Sequence, residues 1–257
     1  MSDPRRTILI TGAGSGLGRG LGLFLALQGH SIVVTDLHPD SATETAAQIK
    51  AAGGTAEARA LDVTSEQDIG RFIGLMRGRN IDVLVNNAGL QHVARVDELP
   101  VAKWDLLMSV LLRGTFLMTR AVLPSMRAQG FGRIIHIGSV HSLIASPYKS
   151  AYVAAKHALT GFSKAVALET GDVDITSNTI CPAYIRTPLV DAQIRDQALA
   201  NNIPEEEVIQ RIMLEPMPKK AFITVEEVAA AAEFLMSPTA RNITGQTITI
   251  DGGWTAR

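Results

Sequence analysis

Thr7-Ile8-Leu9-Ile10-Thr11-Gly12-Ala13-Gly14-Ser15-Gly16-Leu17-Gly18 is the stretch that decides the fold of this chain. Residues 7–11 form an apolar run of strand length, and 16–28 carry apolar side chains at helical spacing. The turn between them is crowded with glycine. Such a turn lets backbone N–H groups approach a pyrophosphate and sets that anion at the positive end of a helix. The G-x-G-x-x-G spacing is met in no register, because Leu17 or Arg19 falls where its last glycine belongs; T-G-x-x-x-G-x-G is met. No P-loop lysine follows, which disfavours nucleotide hydrolysis. Gly12, Ser15, Gly16, Leu17 and Gly18 are therefore the candidates for holding the phosphates of a dinucleotide.

The alternation begun here continues to the other end. Strands are predicted at 32–35, 55–61, 81–85, 133–137, 175–180 and 247–250, with helices at 41–52, 65–77, 101–128, 151–170 and 225–236. Continuously apolar strands separated by helices indicate a parallel sheet covered on both faces, which is a doubly wound, Rossmann-like α/β fold. The 257 residues show no linker, repeat or low-complexity tract, so a single catalytic domain, 1–257, is expected. Residues 187–219 break the pattern. They are helical in composition, include Pro204, Pro216 and Pro218, and contain no strand, so they are read as a helical lid over a substrate site.

Asp36 ends the second predicted strand, where a carboxylate accepts hydrogen bonds from adenosine ribose hydroxyls and repels a 2′-phosphate; NAD is preferred over NADP. Asp62 and Val63, after the third strand, are placed at the adenine. Net charge is −1 with mixed signs, which gives no footprint for nucleic acid or an anionic membrane. The single cysteine, Cys181, excludes an intrachain disulfide and a cysteine-based zinc cluster, and no metal site is expected. Residues 1–6 are polar and the apolar runs read as too short for a bilayer, so a cytoplasmic protein is expected.

Ser139 lies thirteen residues ahead of Tyr152, and Lys156 follows Tyr152 by four. On a helix, Tyr152 and Lys156 leave one face of one turn. An adjacent ammonium favours the phenolate, which brings acid/base chemistry at tyrosine within reach, and Ser139 is placed to hold a substrate oxygen.

The loop 12–18, Asn86-Asn87-Ala88-Gly89, Ser139 and Tyr152-x-x-x-Lys156, in that order, resemble the short-chain dehydrogenase/reductase family across essentially the whole chain. The resemblance implies that Tyr152 is the general acid/base and that Lys156 binds the nicotinamide ribose and lowers the tyrosine pKa. It implies that Ser139 orients the substrate oxygen, and that Asn86, Ala88 and Gly89 shape the cofactor floor. Pro182, Ile185 and Thr187 then face the nicotinamide end, with Ala183 standing where the family usually has glycine. A homotetramer packed through helices 101–128 and 151–170 is implied as well.

A finer likeness lies in Gln91-His92, Ser139-Val140-His141, Lys149-Ser150-Ala151-Tyr152, Arg186-Thr187-Pro188 with Gln193, and the ending 252–257. These are similar to D-3-hydroxybutyrate dehydrogenases, and the likeness implies that Gln91, His141, Lys149 and Gln193 hold a substrate carboxylate. Leu143, Tyr184 and Trp254 are placed at its methyl end. One ammonium with an imidazole and two amides is what a small carboxylate needs on leaving water. His92, His136 and His157 are read as structural or solvent-facing. The expected reaction is NAD-dependent oxidation of a small 3-hydroxy acid to the 3-oxo acid, and its reverse. The alternatives are a dehydrogenase of a sugar, polyol or 3-oxoacyl thioester, or a weakly active NAD-binding regulatory protein. The last rests on Leu111, which stands where the family usually has an asparagine that holds a water beside the active lysine. Either the proton takes another route or turnover is slowed.

Overall fold

A computed structural model describes residues 5–256. Residues 1–4 of the polar start, and Arg257 of the family-like ending, lie outside them. The strands are β1 (Thr7–Ile10), β2 (Ser31–Asp36), β3 (Thr55–Ala60), β4 (Val83–Asn86), β5 (Phe131–Ile137), β6 (Asp174–Pro182) and β7 (Thr247–Ile250). The helices are α1 (Gly16–Leu27), α2 (Pro39–Ala51), α3 (Glu66–Leu75), α4 (Val101–Met108), α5 (Thr115–Gln129), α6 (Ser150–Glu169), α7 (Pro188–Asn201), α8 (Glu205–Glu207) and α9 (Val225–Met236). All seven strands join one parallel sheet in the order β3-β2-β1-β4-β5-β6-β7. Every predicted strand is present, so the doubly wound fold read from the sequence is the fold observed.

Alternation along β1 explains why both faces must be covered. Ile8 and Ile10 point into a core with Leu21, Leu25, Ile49 and Val228, from α1, α2 and α9. Leu9 between them points the other way, to Phe72, Met118, Val122 and Ile134. The strand order reverses at β1, whose neighbours are β2 and β4. The chains leaving β1 and β4 therefore diverge to opposite faces and leave a crevice at their carboxyl ends, where this class of sheet binds ligands.

The helix predicted at 101–128 runs from Val101 to Gln129, and this corrects one expectation. Its 29 residues are long and apolar enough to cross a membrane by length and composition alone. The fold uses it instead as a core helix, with Leu107, Leu111, Leu117, Met118, Val122 and Met126 buried. It is not uniformly α-helical, since Ser109–Gly114 form wider π-helical turns between α4 and α5. Such a bulge adds a residue to the inner face and often marks a functional site. Here it turns Leu111 into the crevice wall, and Gly114 passes Val63 so closely that a Cβ would lie 2.9 Å from its Cγ2.

The segment read as a lid contains α7, α8 and a π-helical stretch, Val208–Leu214. It has a small core of its own, in which Val190, Ile194, Val208 and Met213 pack on Tyr184. A single parallel bridge, Ile185 to Ile223, closes its base beneath the sheet's carboxyl edge.

Candidate active site

One cleft of about 470 Å³ opens at the β1/β4 switch point. Its floor is the glycine loop, in which Gly12 (φ +62°) and Gly16 (φ +53°) take left-handed backbone angles that favour glycine. Arg19, which spoiled the expected glycine spacing, braces the loop: its guanidinium donates to the Gly14 carbonyl, Thr45 Oγ1 and Glu44 Oε1. Its sequence signal was only the absence of a glycine. Asn87, also missed, donates from Nδ2 to the carbonyls of Thr11 (2.9 Å) and Gly12 (3.0 Å), tying the loop to the end of β4. Gly18 packs into this knot, where an added Cβ would lie 2.4 Å from Asn87 Nδ2 and 2.6 Å from the Gly12 carbonyl. Gly18→Ala is accordingly expected to destabilise the fold by about 1–3 kcal/mol, read as a lowered Tm in thermal unfolding.

Gly12, Ser15, Gly16, Leu17, Gly18, Asp36, Asp62, Val63, Ala88, Gly89, Pro182, Ile185 and Thr187 all line this cleft. Asn86 does not. Its side chain turns into the interior beneath the sheet's edge, 3.3 Å from Thr119 Oγ1 and 3.2 Å from His136 Nδ1, and Asn87 takes its place beside the cleft. His136 is fully buried and also reaches Ser177 Oγ, while the His157 ring sits on the exposed side of α6, at the Val153 carbonyl. Asp36 accepts from the backbone N–H of Gly14 (2.9 Å) and His38 (3.0 Å), one on each oxygen. A carboxylate offers about four acceptor positions, so this orients the group and leaves room for two hydroxyls. Asp62 Oδ1 is held by Thr64. Thr187 caps α7 by accepting from the Val190 N–H. A glycine cradle at one end and a carboxylate 18 residues beyond its last glycine together fit a nicotinamide dinucleotide.

The reactive end is built where β5 meets α6. Ser139 follows β5 by two residues and caps a single turn of 3₁₀ helix, Val140–Ser142, with a reciprocal Ser139–Ser142 cap fixing its backbone. Ser139 and Tyr152 line the cleft together. Tyr152 and Lys156 share a face of α6, with the Lys156 ammonium 5.5 Å from the Tyr152 ring centre and donating to the Ile137 carbonyl at 2.5 Å. The expected lowering of the tyrosine pKa is not what this geometry gives. Burial pushes Tyr152 up to about 12, opposed by the Ser139 hydroxyl rather than by the lysine. The same burial brings Lys156 down to about 8. The surroundings are apolar because Leu107, Leu111, Ala151 and Ala155 form one cluster against Tyr152.

Beyond Tyr152 the cleft ends in a polar recess. Lys149 is 2% exposed. Its ammonium donates to Tyr184 Oη at 3.1 Å and lies 5.0 Å from that ring's centre. No carboxylate of the described residues forms an ion pair with it. Burial pulls its pKa to about 8. Gln91 and the buried Gln193 line the same recess. The Gln91 Oε1 is taken by the His92 N–H, so its amide nitrogen is the end available to a ligand. Tyr184 is stacked on Trp254 (5.8 Å, 28°), whereas Leu143 is 41% exposed and lines no part of the cleft. His141 lines the recess, but both ring nitrogens are already engaged, Nδ1 with Ser139 Oγ (3.3 Å) and Nε2 with Ser146 Oγ (2.8 Å). Burial and the neighbouring Lys149 lower its pKa to about 3, so the ring is neutral.

A phosphate loop at a switch point with Ser, Tyr and Lys around its far end defines an oxidoreductase of the nicotinamide-dependent kind. Residues 12–255 match the family model described as enoyl-(acyl carrier protein) reductase, and the chain belongs to the short-chain dehydrogenase/reductase family. It is 43% identical to a D-beta-hydroxybutyrate dehydrogenase of Rhizobium meliloti (strain 1021), over 98% of this chain and 99% of that enzyme. A D-beta-hydroxybutyrate dehydrogenase of Cupriavidus necator is 40% identical, over 98% of each. Among solved structures, a variant actinorhodin polyketide ketoreductase with NADPH superposes with a TM-score of 0.94 at 30% identity, covering 98% of both chains.

Proposed function

We propose that this enzyme oxidises a small 3-hydroxy acid with NAD, most simply D-3-hydroxybutyrate to acetoacetate, and catalyses the reverse. The observation that carries the substrate class is Lys149, a buried ammonium without an anionic partner in the described residues. A buried cation is costly unless paired. A substrate carboxylate in the recess supplies the partner, with Gln91 and Gln193 as further donors. The named relatives are hydroxybutyrate dehydrogenases, which accords with this. A ketoreductase acting on an acyl thioester, suggested by the family description and the fold neighbour, leaves Lys149 unpaired.

In the reaction so read, the substrate hydroxyl lies between Ser139 and Tyr152. Tyr152 accepts its proton, Ser139 keeps the oxygen aligned, and Lys156 holds the nicotinamide ribose and a positive field beneath the tyrosine. The bound nicotinamide supplies the hydride acceptor. Gln193 stands on α7, so carboxylate binding draws the 187–219 segment onto the recess and excludes water.

NAD is preferred over NADP because the Asp36 side chain lines the cleft beyond the glycine loop, oriented by the Gly14 and His38 N–H groups. Asp36→Ala is expected to lower kcat/KM with NAD by at least about tenfold and to narrow the margin over NADP. A cytoplasmic homotetramer accords with the single buried cysteine and with Trp104, Leu106 and Phe116 exposed on α4 and α5. The deciding assay is NADH formation with D- and L-3-hydroxybutyrate, a neutral alcohol of the same length, a polyol and a 3-hydroxyacyl thioester, each with NAD and NADP. Equal rates with the acid and the neutral alcohol would remove the hydroxy-acid reading.

A further inference from the structure

Tyr184 is placed by its sequence context at the methyl end of the substrate, but the fold sets its hydroxyl beside a charge. The residue follows β6 by two positions, and its carbonyl accepts from the Ile223 N–H at 2.9 Å, at the base of the 187–219 segment. Its ring is 6% exposed and packs with Val190 and Ile194 of α7. One face stacks on Trp254, and the His141 ring stands edge-on at 6.4 Å. The tyrosine lines the cleft, with its Oη 3.1 Å from the Lys149 ammonium.

The direction of that bond is forced. An ammonium has donors only, so Oη is the acceptor and the phenolic proton takes no part. Among the described residues the Tyr184 hydroxyl is found in this bond alone. Burial raises its pKa, so the proton is retained at neutral pH. The recess therefore presents two neighbouring donors, the remaining ammonium protons of Lys149 and the phenolic proton of Tyr184. A buried donor without an acceptor is costly, and the cost is removed by a ligand that can accept. His141, in the same wall, has both ring nitrogens engaged and supplies no competing bond.

We propose that Tyr184 is a substrate-binding residue that sets the preference for an acid: its hydroxyl accepts from Lys149 and donates its own proton to the substrate carboxylate. The inference rests on the hydroxy-acid reading above and adds a donor to it. Two donor atoms 3.1 Å apart can reach one carboxylate, whose two oxygens offer about four acceptor positions. Both bonds are charge-assisted, which makes them stronger than bonds between neutral groups. The ring is clamped between Trp254 and α7, so the hydroxyl is held in position before substrate arrives and little ordering cost falls on binding. A neutral alcohol of the same length brings an apolar end to the recess and leaves both donors unsatisfied. A site built to hydrogen-bond a group discriminates against an analogue that lacks it.

Wild type, Lys149→Met, Tyr184→Phe and the double variant are compared with D-3-hydroxybutyrate and with a neutral alcohol of the same length. Phenylalanine keeps the stack on Trp254 and the packing on α7, and NAD affinity reports that the fold is intact. The quantity read is the ratio of kcat/KM for the acid to that for the neutral alcohol, which requires no saturation. Tyr184→Phe is expected to lower this ratio roughly tenfold, through KM for the acid with little change in kcat. It is expected to lower the ratio further in the Lys149→Met background. An unaltered ratio in Tyr184→Phe overturns the proposal. So does an effect that vanishes in the Lys149→Met background, because the hydroxyl would then act only by holding the lysine. If Lys149→Met lowers the ratio and Tyr184→Phe does not, the hydroxy-acid reading stands without the tyrosine. If wild type shows no preference for the acid, both fall.

Discussion

Tyr152→Phe is expected to lower kcat for alcohol oxidation by about 10²–10⁴-fold with NAD affinity unchanged. The substitution removes one hydroxyl and keeps the ring that packs on Leu107, Leu111, Ala151 and Ala155. Ser139 retains His141 as a hydrogen-bond partner, so no buried polar group is stranded and the fold should hold. NAD binding, followed by quenching of protein fluorescence, serves as the check on folding. A variant that binds NAD and still turns over at the wild-type rate would remove Tyr152 from the chemistry. The same residue sets the direction of the pH dependence. Its base form takes the proton, and burial places its pKa near 12 in the free enzyme. Below that value the base fraction grows about tenfold per pH unit. The rate of oxidation is therefore expected to rise from neutral into alkaline solution, and the rate of reduction to favour lower pH.

Lys149→Met is expected to raise KM for the hydroxy acid roughly 10–100-fold with a much smaller change in kcat. Methionine keeps most of the length and apolar volume of the stem and deletes the charge, and a binding loss without a chemical loss identifies a substrate-positioning group. A neutral alcohol should gain nothing from the lysine, so its KM should not rise. Equal effects on both substrates would mean that the lysine acts through the fold. A pH measurement separates this role from that of Tyr152. The Lys149 ammonium, with its pKa lowered to about 8 by burial, is present below that pH and lost above it. The Ki of an unreactive carboxylate such as acetate should therefore increase as pH rises through about 8, while oxidation chemistry at Tyr152 improves over the same range. In Lys149→Met the pH dependence of Ki should disappear.

The recess shows where sequence reading stopped. Lys149 was legible by its position before the Tyr152 helix, but its value as a substrate probe comes from being buried without an anionic partner, which no linear pattern reveals. The turn at Tyr148, held at φ +67°, sets the lysine at the start of α6, and that left-handed backbone for a bulky residue carries no signature in sequence. The likeness in sequence gives His141 a bond to a substrate carboxylate. The structure finds both its nitrogens occupied, one by Ser146, which no motif contains. Asn86 and Asn87 are neighbours of the same type, and only strand direction decides that the first points inward and the second toward the cleft.

The sequence by itself determined the fold and the reaction class. Both depend on short-range patterns: apolar runs at strand and helix periods, glycines where the backbone must turn, and Tyr152 and Lys156 one helical turn apart. The tertiary structure alone decided the electrostatics. Whether Lys156 or burial governs Tyr152 and whether Lys149 meets an anion both depend on which groups from distant segments exclude water together. Desolvation is a property of the enclosure, and Leu111, Ala155 and Tyr184 reach that enclosure from three different parts of the chain.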